Sequence, residues 1–220
     1  MTRPRPGGVA LVGLSGPDGV GKSSQLAGLV RRLRADGAVV VSRYGYGCPL
    51  CRRVAPAAPG EGSRPWLRAT ARRGERLHAL VDALDLARVL AVAWFVAAAR
   101  GRWRARRAVV VTDRGPLDGL VRHAGTGTER LYRTLLRRYR IVLLLDAPAG
   151  QLAAHDGEHP TPDLERMRRA FAAQARHLPV VTDVDAAGAP DELAASITET
   201  VTRALVRAPG LVSTRPRGAA

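Results

Sequence analysis

The chain has 220 residues, 46% of them apolar, enough for one buried core and too apolar for a disordered chain. Thirty-five Lys and Arg against 19 Asp and Glu give a formal charge of +16. The arginines are spread over almost every segment and have displaced lysine wholesale, which argues for a compositional bias and a phosphate-binding cleft, and against a dedicated nucleic-acid surface. The longest uncharged apolar run of the central helical segment, Val89 to Ala99, is too short to cross a bilayer. The N-terminus runs into a strand with no cleavage pattern, so the expected location is cytoplasmic and no membrane partner is expected.

Val9 to Leu14 is a short apolar run and reads as a buried parallel strand. Gly16-Pro17-Asp18-Gly19-Val20-Gly21-Lys22-Ser23 follows and fits G-x-x-x-x-G-K-S, the loop that cradles nucleotide phosphates. Lys22 is the only lysine of the chain. Arginine is a planar fork and lysine a compact point charge; a tight phosphate loop accepts the second. Leu26, Leu29, Val30 and Leu33 then recur at helical spacing until Asp36-Gly37. Strand, glycine loop and helix thus stand in the order the motif requires. The loop amides and the helix N-terminus bind phosphate oxygens, Lys22 reaches the β- and γ-phosphates, and Ser23 offers a hydroxyl to Mg²⁺. Ser24 completes the set of ATP-binding candidates from Gly16 to Ser24.

Ala38 to Val41 reads as a second strand. Cys48 to Pro65 is rich in Pro and Gly and reads as a loop. Its two cysteines, Cys48 and Cys51, have no second pair to complete a zinc site and read as reduced thiols. Trp66 to about Ala99 reads as helix broken near Gly74, with Leu77, Leu80, Val81 and Leu84 in its apolar stripe. The basic run from Arg100 to Arg107 reads as a solvated helix end. Ala108 to Thr112 is a third strand ending at Asp113, Arg130 to Arg138 a helix, and Ile141 to Leu145 a fourth strand. Thr161 to His177 is helical, Pro179 to Thr182 a fifth strand, and Glu192 to Val206 the last helix. The alternation predicts an α/β fold: a P-loop NTPase three-layer sandwich with about five parallel strands and helices on both faces. Residues 1–208 read as one domain, with a short lid around 149–170 and a flexible tail from 209.

Asp113 closes a strand of almost pure Ala and Val, so its carboxylate emerges at the carboxyl end of the sheet, beside the loop. An aspartate there holds Mg²⁺ or orients the nucleophile. Together, G-P-D-G-V-G-K-S and V-V-V-T-D-R resemble the thymidylate kinase family of nucleoside and nucleotide kinases. Three further matches are Asp18 inside the loop, the Asp113-Arg114 pair, and Leu84-Asp85-Leu86-Ala87-Arg88 upstream. Leu145-Asp146-Ala147-Pro148 is similar to the family's strand end before its lid. The resemblance implies that Arg114 grips the acceptor phosphate with Arg88 as a second clamp, that Asp18 faces the acceptor's sugar, and that Arg43 lines the acceptor site. It implies lid arginines among Arg166, Arg168 and Arg169. It also implies Mg-ATP as donor, a nucleoside monophosphate as acceptor (dTMP first), and compatibility with a homodimer, although no exposed stripe demands one.

The departures concern the acceptor side. After Ser42-Arg43 the family has an acidic residue and P-G-G where this chain has Tyr44-Gly45-Tyr46-Gly47. After Asp113-Arg114 the family favours Tyr, His or Ser where this chain has Gly115. One turn before Arg88 an aromatic is replaced by Leu84. Tyr44, Tyr46 and Trp66 are the remaining candidates to stack on a base. The alternatives are therefore a kinase of the same build with a different acceptor and, in another class, a nucleotide-binding regulator that hydrolyses NTP slowly. A guanine-reading N-K-x-D cannot occur in a chain whose one lysine is Lys22. A generic nucleic-acid-binding module is the third reading.

Overall fold

A computed structural model describes residues 9–44, 73–104, 108–157 and 159–206. The strands are β1 (Val9–Ser15), β2 (Val39–Tyr44), β3 (Ala108–Asp113), β4 (Ile141–Asp146) and β5 (Val181–Asp185). The helices are α1 (Lys22–Ala35), α2 (Arg73–Arg104), α3 (Pro116–Arg122), α4 (Glu129–Leu136), α5 (Ala149–Asp156), α6 (Thr161–Ala175) and α7 (Pro190–Val206). All five strands are parallel, in the order β2-β3-β1-β4-β5. β1 is flanked by β3 and β4, and a ligand of such a sheet lies outside the carboxyl ends of the strands, where their order reverses.

Parallel strands covered on both faces must be apolar on both faces, which is why β3 and most of β1 and β4 read as continuous Val, Leu and Ile. Alternate residues feed two cores. Val12, Leu14, Val109, Val111, Leu143 and Leu145 pack under α1 and α7. Leu11, Val110, Val142 and Leu144 pack under α2, α3 and α4. α6 serves both, with Leu164 and Met167 in the first and Phe171 in the second.

Two sequence expectations change. β5 starts two residues later than Pro179 and runs to Asp185. α3 and α5 were not foreseen. Gly115-Pro116 resembles a turn, yet proline is well tolerated at a first helical position, where its missing N–H has no partner to lose. The described part of α2 begins at Arg73, so the stretch from Trp66 expected before Gly74 lies outside the described residues.

The buried side of α2 differs as well. Ala79, Asp82, Ala83, Leu86, Leu90, Ala93 and Ala97 face inward, whereas Leu80, Leu84, Val92 and Phe95 form an exposed apolar stripe that the sequence reading did not foresee. Asp82 can lie inside because its Oδ2 is 3.0 Å from His123 Nε2 and accepts the Tyr132 hydroxyl at 3.4 Å. This buried polar group fastens α2 to α3 and α4, and a satisfied carboxylate does not carry the cost of an orphaned one. Among the described residues no helix is long and apolar enough to cross a membrane. The cysteines, Tyr46, Trp66 and the tail from 209 lie outside the described residues.

Candidate functional site

β1 delivers the chain to the carboxyl edge of the sheet at Ser15, and the glycine loop returns it into α1. Gly16 has φ 147°, and a Cβ there would stand 2.3 Å from the Leu145 carbonyl oxygen. Gly21, at φ 81°, is the residue that caps α1. Both positions need glycine, the first for close approach and the second for left-handed backbone. α1 has no side-chain cap and no acidic residue in its first turn. Its first amides and its dipole are therefore offered to an external anion.

Lys22 is 6% exposed. Its Nζ donates to the carbonyls of Gly16 (2.9 Å) and Pro17 (2.6 Å) and stands 3.5 Å from Asp18 Oδ1. Burial pushes its pKa down, against the pull of the Asp18 carboxylate. The ammonium is thus held folded over the loop that it serves.

Asp113 ends β3 in register with Leu14 of β1. Ser23 Oγ donates to its Oδ2 at 2.6 Å. Its other oxygen, Oδ1, is buried and has no hydrogen-bond partner among the described residues. An orphaned carboxylate oxygen beside a hydroxyl at a helix N-terminus fits a hard cation completed by phosphate oxygens. Among the described residues no three His, Cys, Asp or Glu side chains gather as a metal cage. Ser23 and Asp113 are the residues that would hold Mg²⁺.

Asp18 is the hub of the loop. Arg114 Nη2 donates to its Oδ1, and His159, between α5 and α6, lies 3.9 Å from its Oδ2. Arg114 sits at φ 59°, uncommon for a residue with a side chain. Its amide donates to the Leu14 carbonyl at 2.9 Å, which holds that conformation in place. Such local backbone tension gathers at functional sites.

Sequence reasoning missed Asp118. It is buried, accepts the Ser15 hydroxyl at 2.6 Å and accepts the Gly115 amide at 2.9 Å. It therefore ties the end of β1 to the turn that carries Arg114. Burial pushes its pKa up, opposed by the Lys22 and Arg114 charges and by both hydrogen bonds. The legible signal was an acid at the third position of a helix opened by Gly115-Pro116, where such a side chain reaches back to the cap amide. Gly115 also has a structural reason. A Cβ there would stand 3.3 Å from the Tyr139 hydroxyl, which is itself 3.1 Å from Thr112 Oγ1. Tyr139 fills the space that a larger side chain would need.

Of the remaining candidates, Arg168 lines a second cavity with Pro17 of the glycine loop and Asp146, whereas Arg88, Arg166 and Arg169 pair with acids on their own helices. Arg88 is 67% exposed and donates to Asp85 Oδ1 from Nε (3.1 Å) and Nη2 (2.9 Å). It lies on the exposed side of α2, paired within its own helix. Arg166 pairs with Asp163, and Arg169 lies 3.4 Å from Glu165. Arg168 forks onto Asp146, Nε to Oδ1 at 2.7 Å and Nη2 to Oδ2 at 2.9 Å, fastening α6 to the end of β4. That carboxylate pushes its pKa further up. Arg43 lies on β2 in register with Thr112, and Tyr44 with Asp113; their side chains lie outside the description.

A cleft beside the loop is lined by Gly16, Asp18, Arg114, Asp118, Arg122 and Phe171, with Val121 and Met167 completing its apolar wall. Compared with known proteins, the chain matches no family model and no curated protein. The residues of the site therefore carry the functional argument.

Proposed function

We propose that this chain is a Mg²⁺-dependent P-loop kinase of thymidylate kinase type, passing the γ-phosphoryl of ATP to the phosphate of a nucleoside monophosphate, with dTMP the first candidate. The observation that carries this reading is the Ser23–Asp113 contact, with its orphaned Oδ1, beside a helix N-terminus that no side chain of its own caps. Gly16 to Ser24 would wrap the donor phosphates, with Lys22 neutralising them. Mg²⁺, when bound at Ser23 and Asp113, supplies charge neutralisation on the transferred group. Arg114 would hold the acceptor oxygen in line, and Asp18 would accept a hydrogen bond from an acceptor hydroxyl. In the transfer the bond from the γ-phosphorus to the bridging oxygen breaks, ADP leaves with that electron pair, and the acceptor oxygen forms the new P–O bond. The protein contributes position and counter-charge, with no covalent intermediate.

A different acceptor is the second reading, favoured by the outward placement of Leu84 and Arg88, the two α2 positions expected at a pyrimidine nucleotide. The deciding experiment is ADP release from Mg-ATP with dTMP, dUMP, other nucleoside monophosphates and nucleosides side by side. Strong stimulation by dTMP is the expected result. ATP binding with no stimulation by any nucleotide would move the acceptor outside the nucleotides. No ATP binding at all would sink the kinase reading.

A further inference from the structure

The cleft beside the glycine loop holds two arginines. Arg114 stands at the end of β3, and Arg122 is the last residue of α3, two helical turns on. Both share the cleft with Asp18, while Val121, Met167 and Phe171 make the rest of the wall apolar. An anion entering here meets Arg122 and Arg114, the latter bonded to Asp18, with the Asp18 and Asp118 carboxylates also in the lining; against the apolar wall an ionic contact is stronger than in water. Arg88, the residue expected for a second clamp, is not among the lining residues and is held by Asp85 on an exposed face.

We propose that Arg122, together with Arg114, forms the binding clamp for the phosphate of a phosphomonoester acceptor in the cleft between α3 and α6. This rests on the kinase reading. It deepens that reading by assigning acceptor recognition to α3. Asp118, one helical turn before Arg122 and bonded to Ser15 and the Gly115 amide, anchors α3 beside the turn that carries Arg114. Guanidinium is the right group here because its planar fork matches two phosphate oxygens at once. A lysine would place one charge without that fork.

The test separates the clamp from the donor site. The full chain is first saturated with Mg-ADP, which occupies the glycine loop, and inorganic phosphate is then titrated by calorimetry. Wild type is expected to bind phosphate in the presence of Mg-ADP. Arg122→Ala and Arg122→Gln are expected to weaken that binding at least about tenfold, Arg122→Lys by less, and Arg88→Ala by less than about twofold. Circular dichroism and the Mg-ADP affinity of each variant show whether the fold and the donor site persist. Phosphate binding untouched by both Arg122 variants, or equally weakened by Arg88→Ala, overturns the clamp while leaving the kinase reading standing. So does an absence of phosphate binding by Mg-ADP-loaded wild type. Failure of wild type to bind Mg-ADP overturns the kinase reading itself.

Discussion

The glycine-loop corner and the long helix α2 are built on opposite principles. At the corner each residue has few substitutes. Gly16 is fixed by the Leu145 carbonyl, Lys22 by its loop, and Ser23 by Asp113. α2 is 32 residues of mostly Ala, Val and Leu, in which a buried Ala83 and a 55% exposed Leu84 are neighbours. The corner ties sequence-distant segments through specific polar contacts, and its chemistry follows from residue type. Apart from the buried Asp82 with its His123 and Tyr132 contacts, the helix is held by shape, and which of its side chains matters is decided by what packs against it. A motif of few, chemically irreplaceable residues is therefore a better guide to function than a long apolar stripe.

The largest effect is expected at the corner. Lys22→Ala should lower ADP formation by about 10³-fold or more with an unchanged circular dichroism spectrum, since Nζ is bonded within its own loop. Retained turnover would make the corner as replaceable as the helix. Gly119→Ala probes packing on the α2 side. A Cβ there would meet Tyr132 Cε1 at 2.1 Å, and overpacking of this kind costs about 1–3 kcal/mol. Urea unfolding should show that loss, and a smaller one in a Tyr132→Leu background. Equal losses in both backgrounds would place the strain elsewhere.

Asp118 ties the end of β1 to the turn after β3, and its effect is smaller and depends on pH. Its folded pKa is raised by burial. Its contribution to stability is thus fully present below the unfolded carboxylate pKa and is lost as pH rises through the raised folded value. Within that window the wild-type slope is at most about 1.4 kcal/mol per pH unit from this group. Asp118→Asn should flatten it in urea melts taken from about pH 4 upwards; an unchanged slope would show that the burial of this carboxylate does not govern the acid side. The smallest effect is expected on the outer face of α2. Arg88→Ala should change stability by less than about 0.5 kcal/mol, because an exposed ion pair one helical turn long is screened by water. A larger loss in ADP formation would restore this residue to the acceptor site.

Much of the frame is legible in the sequence alone. The four clearest strands, α1 and the two central features of the corner follow from runs of Val and Leu, from a glycine pattern, and from an acid at the end of an apolar strand. These are short-range signals, since a parallel strand buried on both faces must be apolar and a phosphate loop must have glycine where its backbone turns or touches. α3 was hidden behind Gly115-Pro116. Asp118 was hidden with it, because its partners Ser15 and Gly115 meet only after β1 and β3 pair.

The sequence by itself determined a parallel α/β sheet and a glycine loop, with Lys22, Ser23 and Asp113 as its chemical core, because each depends on residue type and local order. Tertiary structure alone decided that Arg114 turns onto Asp18, that Arg122 shares their cleft, that Arg88 faces outward, and which side of α2 is buried. An arginine-rich chain with a helix whose apolar residues lie on all sides leaves those choices open. Only the packing of distant segments distinguishes one guanidinium, or one apolar face, from the next.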